Sequence, residues 1–444
     1  MSFVETSEIV RKTFALLLVA IFLSSIDIAN FQDTGRQVSR DLFYRLWAPM
    51  YPARDDKSVG IVLLDNESIT GWDVYPPRYG THASFLNAIL ARKPKSLFVD
   101  FAFLDVRDDP TLVELIDTFK AYHAAKIPVF LPTFSDEAAS GLRPELKELA
   151  SAGLIKLVSF ELGRFLLGNS VYNLAPTPGP KQQLDAAAFG ILKAFHPELA
   201  ARLADRTEME LWWALPPDRL NCEFRAHACD SRPGSLWERI ASIIQLEFAG
   251  MKLISSPEGV AAPYNPFVFA NETLSGDRED AVNRTIRDKF VFYGGYLRLI
   301  EDRHPNPVYA FASERREIPG VFVHAMALEN LIDLKGDVKM PRSESQVILW
   351  LHDVFVIVVI ATALLFLRLT YCRPRRWAPL WLVEHVLILG LVVAVAWIEF
   401  SHLNLGPSNW AGLFAFITIS RDWEWAQERM DRGLLWIIAQ WRRS

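Results

Sequence analysis

Long apolar runs lie near both ends of the 444-residue chain. Residues 13–30 form one run directly after Arg11 and Lys12, residues 346–367 and 377–398 form two strong runs, and residues 405–420 form a shorter one. A helix that crosses a bilayer needs about 20 apolar residues. The pattern therefore predicts about four transmembrane α-helices, three of them within residues 346–420. The first run also fits a signal peptide, but no small-residue cleavage site follows it, which favours an uncleaved anchor.

Basic residues beside these runs predict the orientation of the chain. The loop between the second and third runs carries Arg368, Arg373, Arg375 and Arg376, and such clusters stay in the cytoplasm. Residues 1–12 and the tail 421–444 then lie inside, and residues 31–345 lie outside. The sequence thus predicts a multi-pass protein of the bacterial inner membrane with a large extracytoplasmic domain and the lipid bilayer as a partner.

Four ionisable residues lie toward the outer ends of two predicted spans: His352, Asp353, Glu399 and His402. Antiparallel packing of the two helices predicts that these side chains pair. Separate snorkelling of each side chain to the interface fits the sequence equally well. No transport function is predicted from them.

Residues 31–345 alternate short β-rich runs with amphipathic ones. Strands are predicted over 58–64, 96–104 and 127–134, with a helix over 82–92 between the first two. A further strand over 289–296 precedes a helix over 320–334. This order predicts an α/β domain with a mostly parallel sheet flanked by helices and assembled from both ends of the segment. Residues 181–247 are expected to form a largely helical, peripheral insertion.

Composition limits the classes of partner and the possible roles of the cysteines. The chain is 51% hydrophobic with a net charge of -5, so no basic field favours nucleic acid as a partner. Of three cysteines, Cys222 and Cys229 lie close together in sequence. They fit either a small disulfide loop in an oxidising compartment or two reduced thiols. A zinc site is less favoured, because His227 adds only a third ligand.

Polar residues follow the predicted strands, where open α/β sheets bind ligands. The ligand-binding candidates are Asp65, Arg78, His82, Asp100, Asp105, Asp302, His304 and His324. Such a set fits a metal or small polar ligand, but also side-chain pairs that only lock loops together. No nucleophile motif or phosphate-binding glycine loop occurs, so no catalytic residue and no enzymatic activity are predicted. The metal and any cofactor stay unknown.

Several motifs resemble the type-two CHASE domain, an extracytoplasmic sensory module of bacterial cyclases and histidine kinases. At one end these are VGIVLLDNESITGW, with Asp65, Ser68 and Trp72, then YPPRYGTHASFLNAIL and PKSLFVDFAFLD. At the other end they are KFVFYGGYLRLIEDRHPNP and IPGVFVHAMALENLI, with His324 and Ala325. The resemblance implies a sensor of signals. The resemblance also leads one to expect a turn of small residues, which Gly294 and Gly295 match only loosely.

Relatives commonly continue into a kinase, cyclase or diguanylate-type output domain, which the 24 residues after Ser420 are too short to form. The resemblance therefore implies a sensor that relays its signal to a separate signalling subunit, and relatives of this kind are expected to be at least dimers. The Trp-rich tail fits an interfacial helix or a docking helix. Two other functions stay open: a structural or assembly subunit of a membrane complex and, more distantly, a metal-dependent enzyme.

Overall fold

The computed structural model divides into two compact units, residues Tyr44–Met340 and residues Met1–Phe43 with Pro341–Ser444. It describes residues 47–70, 76–104, 107–133, 142–164, 170–174, 184–215, 217–222, 263–276, 278–297, 302–305, 317–341, 346–371 and 380–405, and residues 10, 14, 39, 40, 43, 44, 308 and 413. The domain boundaries inferred from the sequence stay a prediction.

A six-stranded sheet forms the centre of the unit Tyr44–Met340. Its strands are β1 (Val59–Asp65), β2 (Ser96–Asp100), β3 (Val129–Thr133), β4 (Lys156–Ser159), β8 (Phe267–Phe269) and β9 (Phe290–Tyr296). They lie in the order β4-β3-β2-β9-β1-β8, and each of the five neighbouring pairs is parallel. The predicted α/β class and assembly from both ends are confirmed, because β9 lies between β1 and β2.

Helices cover both faces of this sheet, which explains why its strands read as continuous apolar runs. The described helices are α1 (Asn66–Ile69), α2 (Tyr79–Ala91), α3 (Leu112–Ala124), α4 (Pro144–Ser151), α5 (Ala187–Phe195), α6 (Pro197–Arg202), α7 (Arg219–Cys222), α8 (Glu272–Ser275), α9 (Glu279–Ile286) and α10 (Gly320–Asp333). Val62, Val99 and Tyr293 belong to a core with residues of α2, α3 and α9. The helices α5 and α10 pack on other strand residues, such as Phe98 beside His324.

Of the insertion 181–247 that the sequence predicted as helical and peripheral, the structure describes residues 184–215 and 217–222, which contain the helices α5, α6 and α7 but are not peripheral. Strand β7 (Glu208–Glu210) pairs with β6 (Val171–Asn173), which pairs with β5 (Gly163–Arg164), in a three-stranded antiparallel sheet. Tyr172 and Trp213 are fully buried, and α5 packs on α10. The segment is part of the fold because its apolar residues cover the sheet.

Gly294 and Gly295 lie within β9, opposite Leu63 and Leu64 of β1, and not in the turn that the sequence analysis expected. A Cβ atom on Gly294 would lie 2.6 Å from Cβ of Val321. The glycine thus allows α10 to approach the sheet closely, and this role requires a small residue without requiring a turn.

The ends of the unit Tyr44–Met340 meet at Glu210. The Tyr44 hydroxyl donates to Glu210 Oε1 over 2.5 Å, and the backbone N–H of Glu210 donates to the carbonyl of Lys339 over 2.8 Å. Both the entry and the exit of the chain are therefore held by one residue of β7.

In the other unit, two apolar runs form the helices α11 (Gln346–Tyr371) and α12 (Leu380–His402). His352 Nε2 forms a hydrogen bond with Glu399 Oε1, which confirms one of the predicted pairings. Among the described residues, no helix combines the length and the apolar character that a membrane crossing needs. The predicted spans 13–30 and 405–420 and the tail 421–444 lie almost wholly outside the described residues.

Candidate functional site

A cleft of about 830 Å³ opens at the carboxyl edge of the six-stranded sheet. Its walls come from the ends of β2, β3, β4 and β9 and from the start of α10. The lining residues are Pro76, Pro77, Tyr79, His82, Asp100, Phe101, Ala102, Phe103, Leu104, Arg107, Pro132, Phe160, Glu161, Leu162, Gly163, Leu297, Asp302, His304, Gly320 and His324. Five of the eight predicted site residues therefore meet in one cavity.

The position of the cleft follows from the strand order. Strands β2, β3 and β4 follow one another on one side of β9, and strands β1 and β8 lie on its other side. Loops that leave such a reversal point diverge and open a crevice, the usual ligand site of open α/β sheets. The volume is in the range of small-molecule pockets, about 300–1,000 Å³.

Two aspartates in the cleft have opposite protonation preferences. Burial, together with the charge of Asp302, raises the pKa of Asp100 well above its usual range. Burial also opposes ionisation of Asp302, but the hydrogen bond from His304 and further favourable interactions outweigh it and lower the pKa of Asp302. The two carboxyl groups interact electrostatically, so Asp302 ionises before Asp100 as the pH rises.

A hairpin positions Asp302. Strand β10 (Arg303–Pro305) pairs antiparallel with β11 (Glu317–Pro319), so Asp302, just before β10, lies beside Gly320, just after β11. Asp302 Oδ1 accepts from His304 Nε2 over 2.9 Å, and Oδ2 accepts from the Gly320 N–H over 3.2 Å. The Asp302 side chain still keeps 39% of its surface exposed, so a ligand can reach it.

Two buried histidines flank the aspartates. His82 Nδ1 shares a hydrogen bond with the Tyr293 hydroxyl over 3.0 Å, and His324 Nδ1 shares one with the Tyr172 hydroxyl over 2.6 Å. Burial lowers the pKa of each imidazole to about 3. Both rings are therefore neutral at physiological pH and serve as hydrogen-bonding groups without charge.

Arg107 lines the cleft and was missed by the sequence reasoning. Its guanidinium lies 4.5 Å from the centre of the Tyr79 ring and donates to the carbonyls of Pro76 and Pro77. The neighbouring Asp109 accepts from the Tyr79 N–H over 2.9 Å and so holds the start of α2. The sequence did carry a signal for this residue. The run VRDDPT follows the second strand and is rich in charged and capping residues, which is typical of an ordered loop.

Asp65 and Arg78 are not among the described residues that line the cleft. Asp65 caps α1, where Oδ1 accepts from the Ser68 N–H over 2.8 Å and from its hydroxyl over 2.5 Å. It fails to reach Asp100 because β9 separates the two strands by roughly 10 Å. Arg78 precedes α2 and is exposed. Asp105 and Cys229 lie outside the described residues, as does the Cys222 side chain, so the disulfide stays a prediction.

The arrangement favours binding. Seven of the twenty described lining residues are Pro, Phe or Tyr. Carboxyl groups and neutral imidazoles supply hydrogen-bond donors and acceptors, a common design for a small-molecule site. Within the part of the chain that the structure describes, no three His, Cys, Asp or Glu side chains are grouped so that they could hold a metal ion.

Comparison with protein families matches residues 13–367 to the CHASE2 domain. Searches of curated proteins and of solved structures give no match to the chain. The matched segment covers well over half of the sequence, includes every residue of the cleft and confirms the resemblance noted from the motifs. The chain therefore belongs to the CHASE2 family of extracytoplasmic sensory domains.

Proposed function

We propose that this protein is a membrane-anchored sensor that binds a small ligand in the cleft and relays the event to a separate partner. The observation that carries the proposal is the convergence of His82, Asp100, Asp302, His304 and His324, which come from distant parts of the sequence, on one accessible cavity. Side chains that served only to lock loops would not need to border an opening of this size. Binding without turnover is the simplest use of this chemistry.

Helix α10 supplies the route for the relay within the unit Tyr44–Met340. It begins at the cleft with Gly320 and His324. At its other end, Glu329 Oε1 accepts from the Val59 N–H over 2.9 Å, and Asp333 Oδ2 accepts from the Tyr51 hydroxyl over 3.0 Å. A ligand that moves the first turn of α10 would thus displace the segment through which the chain enters the domain.

The relay needs two arrangements of α10 that differ in ligand affinity, since a ligand shifts an equilibrium only by its differential affinity for the two states. We propose that the apolar segments 13–30, 346–367, 377–398 and 405–420 anchor the domain in the inner membrane and carry this shift. The support is the length of these apolar runs and the two basic clusters on their predicted cytoplasmic side. The shift would pass to another copy of the chain in a homo-oligomer or to a separate signalling subunit.

Ligand binding can be tested by thermal unfolding of the full-length chain against metals, nucleotides, sugars, amino acids and amines. We expect one class to raise the unfolding temperature, by mass action on the folded state. The rise should vanish in Asp100→Asn and Asp302→Asn but persist in Asp117→Asn, a control on an exposed side chain of α3. If the protein is instead a structural or assembly subunit, no class of compound should shift the unfolding temperature, and both cleft variants should be less stable.

Membrane topology can be tested through the thiols. The chain has three cysteines, so the Cys222→Ala/Cys229→Ala variant keeps only Cys372, which the basic loop places in the cytoplasm. A membrane-impermeant maleimide should label this variant only after spheroplasts are lysed. Labelling of Cys372 in intact spheroplasts would contradict the proposed orientation.

A further inference from the structure

Two buried tyrosines contact the histidines of the cleft. The Tyr172 hydroxyl accepts from the Ala188 N–H over 3.2 Å and lies 2.6 Å from His324 Nδ1. The Tyr293 hydroxyl lies 3.0 Å from His82 Nδ1. The two tyrosines and the two histidines are each at most 3% exposed. Both contacts are therefore closed to water, so each hydroxyl proton must find its acceptor within the protein.

These contacts determine which nitrogen of each imidazole carries the proton. The part of the chain that the structure describes offers the Tyr293 hydroxyl one acceptor, His82 Nδ1. It also offers the Tyr172 hydroxyl one acceptor, His324 Nδ1, because the other contact of this oxygen is with a donor, the Ala188 N–H. Both Nδ1 atoms therefore accept a hydrogen bond. Burial lowers the pKa of each ring to about 3, so the rings are neutral, and the hydrogen-bond network assigns their single N–H to Nε2.

The two Nε2–H groups are available to a ligand. His82 and His324 line the cleft, whereas Tyr172 and Tyr293 are not among its described lining residues, so each ring lies between a buried hydroxyl and the cavity. Among the described residues, neither Nε2 has a hydrogen-bond partner, and neither belongs to the unpartnered polar atoms that solvent cannot reach. Both donors are therefore accessible from the cavity, where a buried donor binds either water or a ligand.

An acceptor lies at the edge of the sheet between the two histidines. His82 packs against Tyr293 on one face of the sheet, and His324 packs against Phe98 on the other face. Asp100 ends β2 at the edge between these faces and lines the same cleft. Its carboxyl group accepts no hydrogen bond from any described residue and is only partly buried. The cleft therefore offers N–H donors from both faces and a carboxyl acceptor between them.

We infer that the cleft binds a neutral sugar, whose hydroxyl oxygens accept from Nε2–H of His82 and of His324 and one of whose hydroxyls donates to the Asp100 carboxyl. The inference rests on the proposed function of the cleft and adds the ligand class. A hydroxyl group both accepts and donates, so neighbouring hydroxyls on one ring match donors and an acceptor that lie together. The Pro, Phe and Tyr side chains of the wall supply apolar surface for the C–H faces of such a ring.

Other classes of ligand match these groups less well. A metal ion needs an imidazole nitrogen without a proton, but each Nε2 carries one and each Nδ1 is bound to a tyrosine. The described residues also lack a group of three metal ligands. A cation would face two N–H donors, and an anion would face the carboxyl groups of Asp100 and Asp302. Uracil, which combines two carbonyl acceptors with an N–H donor, is the competing neutral probe.

The test is isothermal titration calorimetry of the full-length chain with glucose, galactose and mannose. At least one of these hexoses should bind with a Kd of about 1 mM or tighter. Its amino sugar and its uronate share the ring but carry a charge, and both should bind about tenfold more weakly. Uracil should also bind more weakly than the hexose.

Two variants of His324 separate the ligand contact from the structural contact. The amide of asparagine reaches the place of Nδ1, and the amide of glutamine reaches the place of Nε2. His324→Asn keeps an acceptor for the Tyr172 hydroxyl but should bind the hexose about tenfold more weakly. His324→Gln should keep the affinity within about threefold, with a lower unfolding temperature. Equal affinities or the reverse order would overturn the inference, and the same pair at His82 is used if either variant fails to fold.

Tyr293→Phe tests the assignment of the ring proton without changing the wall of the cleft. Tyr293 is a positioning residue, and without its hydroxyl the proton of His82 can lie on Nδ1, so hexose affinity should fall about threefold. Tyr122→Phe is the matched control, because this tyrosine is also fully buried, its hydroxyl donates to the Leu86 carbonyl over 2.8 Å, and it is not among the described lining residues. Equal affinity in both variants would overturn the assignment.

The outcomes separate the ligand class from the proposed function. Equal or tighter binding of the amino sugar, the uronate or uracil would overturn the sugar inference and leave the sensory cleft intact. Failure of all three hexoses to bind would also overturn it. The thermal panel, which contains metals, nucleotides, amino acids and amines as well as sugars, judges the sensor function independently.

Discussion

Gly320 shows how one residue joins the fold to the site. A Cβ atom here would lie 2.7 Å from both carboxylate oxygens of Asp302, closer than any real Cβ contact. Asp302 is therefore positioned by the absence of a side chain as much as by its hydrogen bonds to Gly320 and His304. The Pro-Gly-Val sequence at the start of α10 thus has a physical reason: the first turn of the helix must leave room for the Asp302 carboxylate.

Gly320→Ala should displace Asp302 and destabilise the protein by roughly 1–3 kcal/mol, the usual cost of overpacking. Urea unfolding of the full-length chain measures this cost. Gly390→Ala is the matched control, because no described residue lies within 4 Å of a Cβ built there and alanine favours a helix over glycine. Equal midpoints for Gly320→Ala and the unaltered chain would show that Asp302 does not need this contact.

Sequence reasoning at the residue scale found two aspartates and three histidines of the cleft, missed Glu161, and could not separate the cleft residues from helix caps. Asp65 and Asp100 both end apolar strands, and only the insertion of β9 between those strands, a long-range pairing, separates their roles. Arg107 escaped because its function depends on the carbonyls of Pro76 and Pro77 and on the Tyr79 ring. No local pattern specifies such contacts.

At the scale of elements, α10 links the cleft to the main chain around it. Asn330, fully buried on this helix, accepts from the Trp212 N–H over 2.7 Å and donates to the Trp212 carbonyl over 3.1 Å. A single side chain thereby satisfies both backbone groups of a residue just beyond β7. The contact attaches α10 to the residues that directly follow Glu210, the residue that holds both ends of the unit.

Asn330→Ala should cost about 1–3 kcal/mol, because it leaves a buried N–H and a buried carbonyl without their partner. The midpoint of urea unfolding checks this, with Asn283→Ala as the control, since the Asn283 side chain donates to Glu279 at an exposed site. If α10 relays the signal, Asn330→Ala should also retain ligand affinity while reducing the ligand-dependent protection of residues 47–59 in hydrogen exchange. Unchanged protection would argue against the relay.

Elements with strong local signals were predicted best. Four elements lie within a few residues of their predicted bounds: β1, β9, α2 and α10. The period of their apolar residues and the Pro or Gly residues at their boundaries specify them locally. Strand β7 was predicted as helix because three residues carry almost no periodic signal. Its conformation is set by pairing with β6, which no local pattern reveals.

At the scale of the whole molecule, buried ionisable groups make stability depend on pH in two directions. His82 and His324 have a pKa of about 3 in the fold, so between the usual value near 6.5 and 3 the unfolded chain binds more protons. Stability therefore falls as the pH falls below 6.5. Burial and the charge of Asp333 raise the pKa of Glu329 from 4.5 to about 8. Its contribution is lost as the pH rises toward 8.

Above pH 6.5 the two histidines no longer change their protonation, while Glu329 keeps its raised pKa, so stability should decline between pH 6.5 and about 8. Each histidine should contribute up to about 1.4 kcal/mol per pH unit on the acid side. Urea unfolding of the full-length chain between pH 4 and 9 checks the profile. Glu329→Gln keeps an acceptor for the Val59 N–H and should remove the Glu329 contribution to the decline of stability with rising pH throughout the window from about pH 4.5 to 8. A flat profile, or one that Glu329→Gln leaves unchanged, would contradict this account.

The place of β9 at the centre of the sheet also determines when the domain can be completed during synthesis. Strands β1 and β2 emerge early, but the strand that joins them starts at Phe290, about 230 residues after the start of β1. Until then the facing edges of β1 and β2 lack their partner, and unpaired edges invite aggregation. A nascent chain exported before this point must therefore be kept from its neighbours. A truncation before Phe290 leaves the cleft without Leu297, Asp302, His304, Gly320 and His324.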